Sequence, residues 1–382
     1  MEPPSSSSPV PPGRFELRHR AGLPVADSAI ANNAWFEIAT SLVTPPAARR
    51  SPGRSVIHPP KRARPNVPPR LPTSSLRSYF VRGMPALKSW VRASRLPSQT
   101  YIAFPILLGQ MVALRLTGSI DWPGFVLAQL FGLFDQLYIV YANDWADVET
   151  DQRNTTYNIF SGGSRVIVEG LLSRRAVGIA AIVMAALALA TGVGLWVLRG
   201  TFMPVALMAA GLALLYGYSY PPFRMSYRGG GETLQMVGVG AVLPMIGYSA
   251  QTGSLAGFPW LILTVTLPIS LGCAVATSLA DEPSDRLSRK HTMSVLLGTT
   301  RAQALALMLF AASLGLWLLL RPVDMGVWAR LTSAAVPIGF LLLAGLQTWA
   351  APGTGGLTKT VTSYVASNVF FFLAASVALA VG

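Results

Sequence analysis

From about residue 84 to the end, long apolar runs alternate with short polar or turn-rich stretches. A helix that crosses a bilayer needs about 20 predominantly apolar residues. A sliding window of about 19 residues finds nine such runs, over 98–117, 123–143, 176–198, 202–220, 232–250, 258–280, 302–320, 328–349 and 360–381. Several contain Gly or Pro, as in "PVALMAAGLALLYGY" and "VGVGAVLPMIGY", which membrane helices tolerate and which lets backbones approach closely. The pattern predicts an all-α polytopic membrane protein, a bundle of nine transmembrane helices. Residues 1–83 show no apolar periodicity. They hold fifteen of the 29 prolines and twelve Lys/Arg against four acids. Such a segment cannot bury enough surface to offset its ordering entropy, so it reads as a disordered Pro/Ser/Arg-rich tail before a membrane domain over 84–382. Met84 opens "MPALKSWVRASRLPSQT", a plausible natural beginning, and the tail is expected to be dispensable. A Ser/Arg-rich transit peptide is the other reading of it.

Composition agrees with a membrane class. The chain is 52% hydrophobic with a mean hydropathy of +0.47, and only 12% of its residues are charged, about half the share of a soluble domain. The net charge of +14 does not point to nucleic acid, because much of it lies in the tail. With nine crossings, the N-terminus and the even-numbered loops share one side. That side carries thirteen Lys/Arg and the opposite side five, a bias that places the even loops in the cytoplasm. The expected location is the cell inner (plasma) membrane, multi-pass, with the N-terminus cytoplasmic. The single cysteine, Cys273, permits no intrachain disulfide or thiolate metal site and reads as a small buried hydrophobe.

Acidic residues are where the chemistry shows. Twelve lie beyond residue 83, and seven of them fall in two short clusters, 144–151 and 281–285. If the second helix continues past Val140, Asn143, Asp147 and Asp151 share one stripe, with Asp144 one turn from Asp147. In the loop expected after the sixth span, Asp281 and Asp285 lie four apart. Like charges at that spacing repel, so a cation must answer them. Facing carboxylates suit Mg²⁺, a hard ion that binds together with substrate phosphates. Arg224 and Lys290, with Arg153 and Arg165 as further candidates, would then meet phosphate oxygens. The plainer alternative is two wet loop faces. It loses ground because both clusters close apolar helices on the same side and both are followed by bases.

The quoted segments resemble those of a known family. "NDWADVETD" (143–151) is similar to the Asn-Asp-x-x-Asp-x-x-x-Asp motif of UbiA-type intramembrane prenyltransferases. "DEPSD" (281–285) is similar to their second Asp motif, "RKHTMSVLLG" to its continuation, and "YPPFR" (220–224) to their Tyr-Pro-x-x-Lys element, with Arg224 in place of Lys. The resemblance covers roughly residues 84–382. It implies a helical bundle with a central cavity beneath a cytoplasmic cap. It also implies Mg²⁺ bridging both motifs to an isoprenyl diphosphate. The metal ligands implied are Asp144, Asp147, Asp151, Asp281 and Asp285, and Asp144, Asp147, Asp281 and Asp285 are the implied catalytic residues. Asn143, Arg165, Tyr220, Arg224 and Lys290 are implied to bind substrate, and Glu149 falls at a variable motif position.

Breaking an allylic C–O bond leaves a diphosphate anion and a carbocation. Metal ions and fixed cations stabilise the first, and a water-poor cavity protects the second. Tyr138, Tyr141, Tyr216 and Phe223 offer ring faces to the cation, although plain packing explains each as well. "SGGSRVIVEGLLS" (161–173) and "SYRGGGE" (226–232) look most like 1,4-dihydroxy-2-naphthoate polyprenyltransferases of menaquinone synthesis. Two departures leave 4-hydroxybenzoate, homogentisate or a chlorin acid open as acceptor. "ATSLAD" lacks the Asn and Arg often found before the second motif, and His291 stands where Arg is common. Arg95 could pair with an acceptor carboxylate or anchor the chain at the membrane surface. Asp135 lies inside the second span, where a carboxylate is functional by default or else hydrogen-bonded to a neighbouring glutamine. Gly162 and Gly163 could admit a phosphate or form an ordinary turn. A transporter is the rival class, but it would place acids near the bilayer midplane, and only Asp135 does so.

Overall fold

A computed structural model describes residues 86–155, 157–350 and 354–382. The tail over 1–83 lies outside the described residues. After a helical stretch over residues 86–93 and a 3₁₀ turn, Leu96–Gln99, thirteen α-helices follow. They are α1 Thr100–Thr117, α2 Trp122–Ala146, α3 Val148–Arg153, α4 Arg174–Arg199, α5 Met203–Ser219, α6 Met225–Arg228, α7 Gly231–Val237, α8 Leu243–Thr252, α9 Leu263–Leu287, α10 Met293–Leu297, α11 Thr299–Leu320, α12 Val327–Ala350 and α13 Thr354–Val381. A π-helical turn, Gly238–Val242, joins α7 to α8. Among the described residues there is no strand, only the bridge Asn158–Ser161.

Helix ends follow local chemistry. Asp121 caps α2 by accepting from Gly124 N–H, and Ser173 caps α4 by accepting from Ala176 N–H, each meeting a donor that the first turn leaves unpaired. Glycines in the left-handed region close α1, α4 and α8 at Gly118, Gly200 and Gly253, where the missing Cβ removes the penalty.

Eight helical stretches among the described residues are long and apolar enough to cross a membrane, and the chain is a multi-pass membrane protein. The ninth predicted span, 202–220, is α5, an apolar helix of 17 residues. At 1.5 Å per residue it reaches about 25 Å, at the short end of the lengths that span a bilayer. Its end is set by "YPP": a residue before proline is pushed out of the helical region, and Tyr220 is extended, with φ −115° and ψ 150°.

Packed neighbours close a ring. α1 lies on α2, α2 on α4, α4 on α5, α5 on α7, α7 on α9, α9 on α11, α11 on α12, α12 on α13, and α13 returns to α1. α1 also packs along α8, backbone against backbone. A Cβ at Gly109 would lie 1.9 Å from Pro244 O, and one at Gly247 would lie 2.0 Å from Ile106 O. Such small residues let helices meet without a hydrophobic drive between them. Trp317, Phe310, Phe371 and Tyr364 fill the interior, whereas Ile182, Val197, Leu319, Leu346 and Trp349 stand exposed. Large apolar side chains on the outer surface suit a surround of lipid.

One expectation about the acids is corrected. Asp281 and Asp285 are not in a loop after the sixth span but in the last turns of α9, which runs through Pro283 to Leu287. Proline costs the helix one donor, yet Ser288 N–H still reaches Ser284 O at 2.9 Å. The cation that their repulsion calls for is supplied within the chain by Lys290, 3.7 Å from Asp285.

Candidate active site

α2 ends at Asp147 (φ −96°, ψ 13°) and α3 begins one residue later. Helical pitch survives the break: Asp147 N–H donates to Asn143 O at 2.9 Å and Asp151 N–H to Asp147 O at 2.8 Å. Asn143, Asp147 and Asp151 therefore line one stripe, as the i, i+4, i+8 spacing requires. Asn143 Oδ1 accepts from Ser219 at 2.8 Å, tying the motif to α5. Asp144 is buried. It accepts from the Arg95 guanidinium, from Ser164 N–H at 3.1 Å and from the Ser164 hydroxyl. Arg95 thus serves a carboxylate of the chain itself.

The loop over 157–173 reaches these carboxylates through Gly162 and Gly163, both in the left-handed region at φ +81° and +67°. Gly163 lies directly against Asp144 and Asp151. Burial, then the neighbouring Asp147 and Asp144, push the Asp151 carboxyl up to about 7. An acid raised in the folded state favours folding while protonated. That contribution is complete below its ordinary value of 3.8 and is lost as pH rises through about 7. In EDTA, the chain is therefore expected to melt at a higher temperature at pH 6 than at pH 8, with Asp151→Asn flattening the difference. A midpoint that does not move across this window contradicts the assignment.

The second motif meets the first at Lys290. Its Nζ lies 3.4 Å from Asp147 Oδ2 and 3.7 Å from Asp285 Oδ1. Burial works against the Lys290 charge, but Asp147 and Asp285 outweigh it and hold the ammonium above its ordinary pKa. Tyr227 braces this junction, donating its hydroxyl to Asp147 Oδ1 at 2.9 Å beside Thr150. His291 is fixed to the same residue, with its backbone N–H and Nδ1 both reaching Tyr227 O. Beneath lies a cavity of about 70 Å³, lined by Tyr218, Glu232, Thr277, Asp281, Asp285 and Lys290 among others.

The remaining predicted residues are dispersed. Arg165 donates to Asp151 O at 2.9 Å and stacks over Tyr157 at 4.1 Å, so it supports the first motif from the loop. Arg224 stacks over Tyr227 at 3.7 Å and lines a different, outer cleft. Tyr220 stacks on Tyr216 and donates to Ala142 O at 3.4 Å. Tyr141 is engaged with Ser94 and Trp90, and Phe223 is exposed. Asp135 is buried, and its Oδ1 has no hydrogen-bond partner among the described residues. Gln136, the neighbouring glutamine, donates elsewhere, to Ser98.

Sequence reasoning missed Tyr227, Ser164 and Glu232. Each sits in a quoted segment, but nothing in residue type or spacing says that Tyr227 meets Asp147 or that Glu232 accepts from Met293 N–H. Among the described residues no three acids or other metal-binding side chains gather tightly enough to hold an ion by themselves. The all-oxygen donors and the split arrangement nonetheless suit Mg²⁺, which usually takes one or two carboxylates together with substrate phosphates.

Acids from two helix ends thus converge on one largely buried ammonium at the end of an apolar bundle. Sequence comparison gives the class its name. The UbiA prenyltransferase family matches residues 102–354, and the chain belongs to that family and is a prenyltransferase. It is 27% identical over 219 residues to a 2-carboxy-1,4-naphthoquinone phytyltransferase of Synechocystis sp., covering 56% of this chain and 67% of the relative. It is also 27% identical over 233 residues to a 1,4-dihydroxy-2-naphthoate octaprenyltransferase of Mycobacterium leprae, covering 60% and 76%. The fold is similar to that of a UbiA homolog from Archaeoglobus fulgidus bound to DMAPP and Mg²⁺, with a TM-score of 0.58 and 17% identity, over 77% of this chain and all of that one.

Proposed function

We propose that this prenyltransferase moves an isoprenyl group from an isoprenyl diphosphate to a carbon of 1,4-dihydroxy-2-naphthoate, within menaquinone synthesis. It would act in the cell inner (plasma) membrane with its capped end and N-terminus cytoplasmic. The observation that carries the reading is Lys290 between Asp147 and Asp285, which makes one anion-handling centre out of two distant motifs. The name of the Mycobacterium leprae relative supports the acceptor, that of the Synechocystis relative supports a carboxylated naphthalene ring, and the Mg²⁺ complex of the fold neighbour supports the metal.

In this reading Asp144, Asp147 and Asp151 of the first motif and Asp281 and Asp285 of the second would hold Mg²⁺ jointly with the diphosphate. When bound, the ion neutralises the diphosphate and makes it a better leaving group. Lys290 adds a fixed positive charge where negative charge develops. Arg95 and Ser164 keep Asp144 in place, and Tyr227 does the same for Asp147. The allylic C–O bond breaks, pyrophosphate leaves, and the aromatic carbon forms the new C–C bond. The ring then loses its carboxyl group as CO₂. Protein walls around the site keep water from the carbocation.

The test is an assay of proteoliposomes with Mg²⁺, a labelled isoprenyl diphosphate and a panel of aromatic acids. Prenylated product is expected with 1,4-dihydroxy-2-naphthoate and none in EDTA. Product only with 4-hydroxybenzoate, homogentisate or a chlorin acid overturns the acceptor. Solute transport with no prenylated product overturns the reaction.

A further inference from the structure

A second, outer cleft of about 370 Å³ opens beside α3, lined among others by Glu149, Thr150, Arg153, Arg174, Arg224 and Tyr227. Its three arginines come from three separate places: the end of α3, the start of α4 and the turn after α5. Two of them are held by stacking. Arg174 lies 4.7 Å over Trp145 and donates to Trp145 O at 3.2 Å, and Arg224 lies 3.7 Å over Tyr227. A stacked guanidinium still presents in-plane N–H groups, for Arg174 those of its two Nη atoms because Nε serves Trp145 O, and such groups match phosphate oxygens in pairs. Against the three positive charges stands one carboxylate, Glu149, so the cleft keeps a net positive character. Neither Asp281 nor Asp285 lines it. The wall shared with the inner site is Tyr227, whose hydroxyl meets Asp147 and whose ring lies 4.8 Å from Lys290 Nζ.

We propose that this outer cleft is a second, metal-independent binding site for a phosphoryl anion, built by Arg153, Arg174 and Arg224. Two sources supply that chemistry: pyrophosphate leaving the inner site, which rests on the proposed reaction, or the phosphate of an anionic lipid. The site itself does not depend on which one fills it.

Binding of inorganic pyrophosphate to the full chain in nanodiscs, with EDTA present, tests the proposal. Wild type is expected to bind, and so is Asp281→Asn, because the inner motif is not used. The double variant Arg153→Gln/Arg174→Gln is expected to bind at least about tenfold more weakly, the scale of one lost charge-assisted pair. Arg153→Lys/Arg174→Lys keeps the charge but not the paired N–H edges and should recover part of the affinity, which separates anion binding from a folding defect. Nanodiscs with and without phosphatidylglycerol distinguish the sources. If the anionic lipid weakens pyrophosphate binding to wild type alone, lipid phosphate occupies the cleft. Equal binding in both assigns the cleft to released pyrophosphate. No binding in EDTA, or equal binding by the glutamine double variant, overturns the proposal. Since no prenyl transfer is measured, a failed acceptor assay leaves this result standing on its own.

Discussion

Replacing Gly163 by alanine is expected to remove prenyl transfer by about a hundredfold or more, while the bundle still inserts. An added Cβ would lie 2.4 Å from Asp151 Oδ2, 2.9 Å from Asp144 Oδ1 and 3.2 Å from Arg95 Nη2. Two of these atoms belong to the proposed metal ligands, and the third holds one of them in place. Displacing reacting groups by about an ångström is enough to cost about 10²-fold in rate. The backbone at Gly163 is also left-handed, which costs a residue with a side chain roughly 1–2 kcal/mol. Gly170 supplies the control. It has nearly the same φ, +69°, and nothing within 4 Å of an added Cβ. Gly170→Ala carries the backbone penalty without the collision and should keep most of its turnover. If Gly163→Ala is no worse than Gly170→Ala in a membrane assay at matched expression, the close approach is not what the site requires.

The second large effect concerns Lys290. Lys290→Met removes the charge between Asp147 and Asp285 and leaves two carboxylates facing each other with nothing between them. A buried ion network that loses one partner is left with an uncompensated charge. The variant should therefore melt lower than wild type in EDTA and recover part of the difference in Mg²⁺. In the reaction, one preorganised charge at the leaving group is worth about 10²–10³ in rate, and kcat is expected to fall by that order. Lys290→Arg keeps the charge but not its compact shape, so it should fall between the two. Turnover of Lys290→Met within about threefold of wild type would show that the ammonium is only a structural clip.

Much of this was legible in the chain, for reasons that differ by element. Apolar runs located the helices because lipid demands length and internal hydrogen bonding. In α5, "YPP" ends the helix at Ser219 after 17 residues, shorter than the apolar run suggested. The stripe Asn143, Asp147, Asp151 followed from helical pitch alone and survives the break at Asp147. The second cluster was placed in a loop because the sixth apolar run stops at 280, whereas the helix itself continues through Pro283 to Leu287, and hydropathy does not see where a helix outlasts its apolar part. Contacts between distant segments were out of reach: Arg95 on Asp144, Tyr227 on Asp147 and Arg224 in the outer cleft. Each depends on how the loops fold over the helix ends, and neither periodicity nor spacing encodes that.

The convergence of the two motifs on one substrate headgroup is tested most directly by binding rather than turnover. The measurement is Mg²⁺-dependent affinity for a non-reactive isoprenyl diphosphate analogue in wild type, Asp147→Asn, Asp285→Asn and the double variant. Each single change is expected to weaken binding at least about tenfold, and the double variant should be little worse than the weaker single, as groups sharing one network behave. Asp285→Asn binding as tightly as wild type, or losses that simply add, would mean that the two motifs do not grip the same ligand.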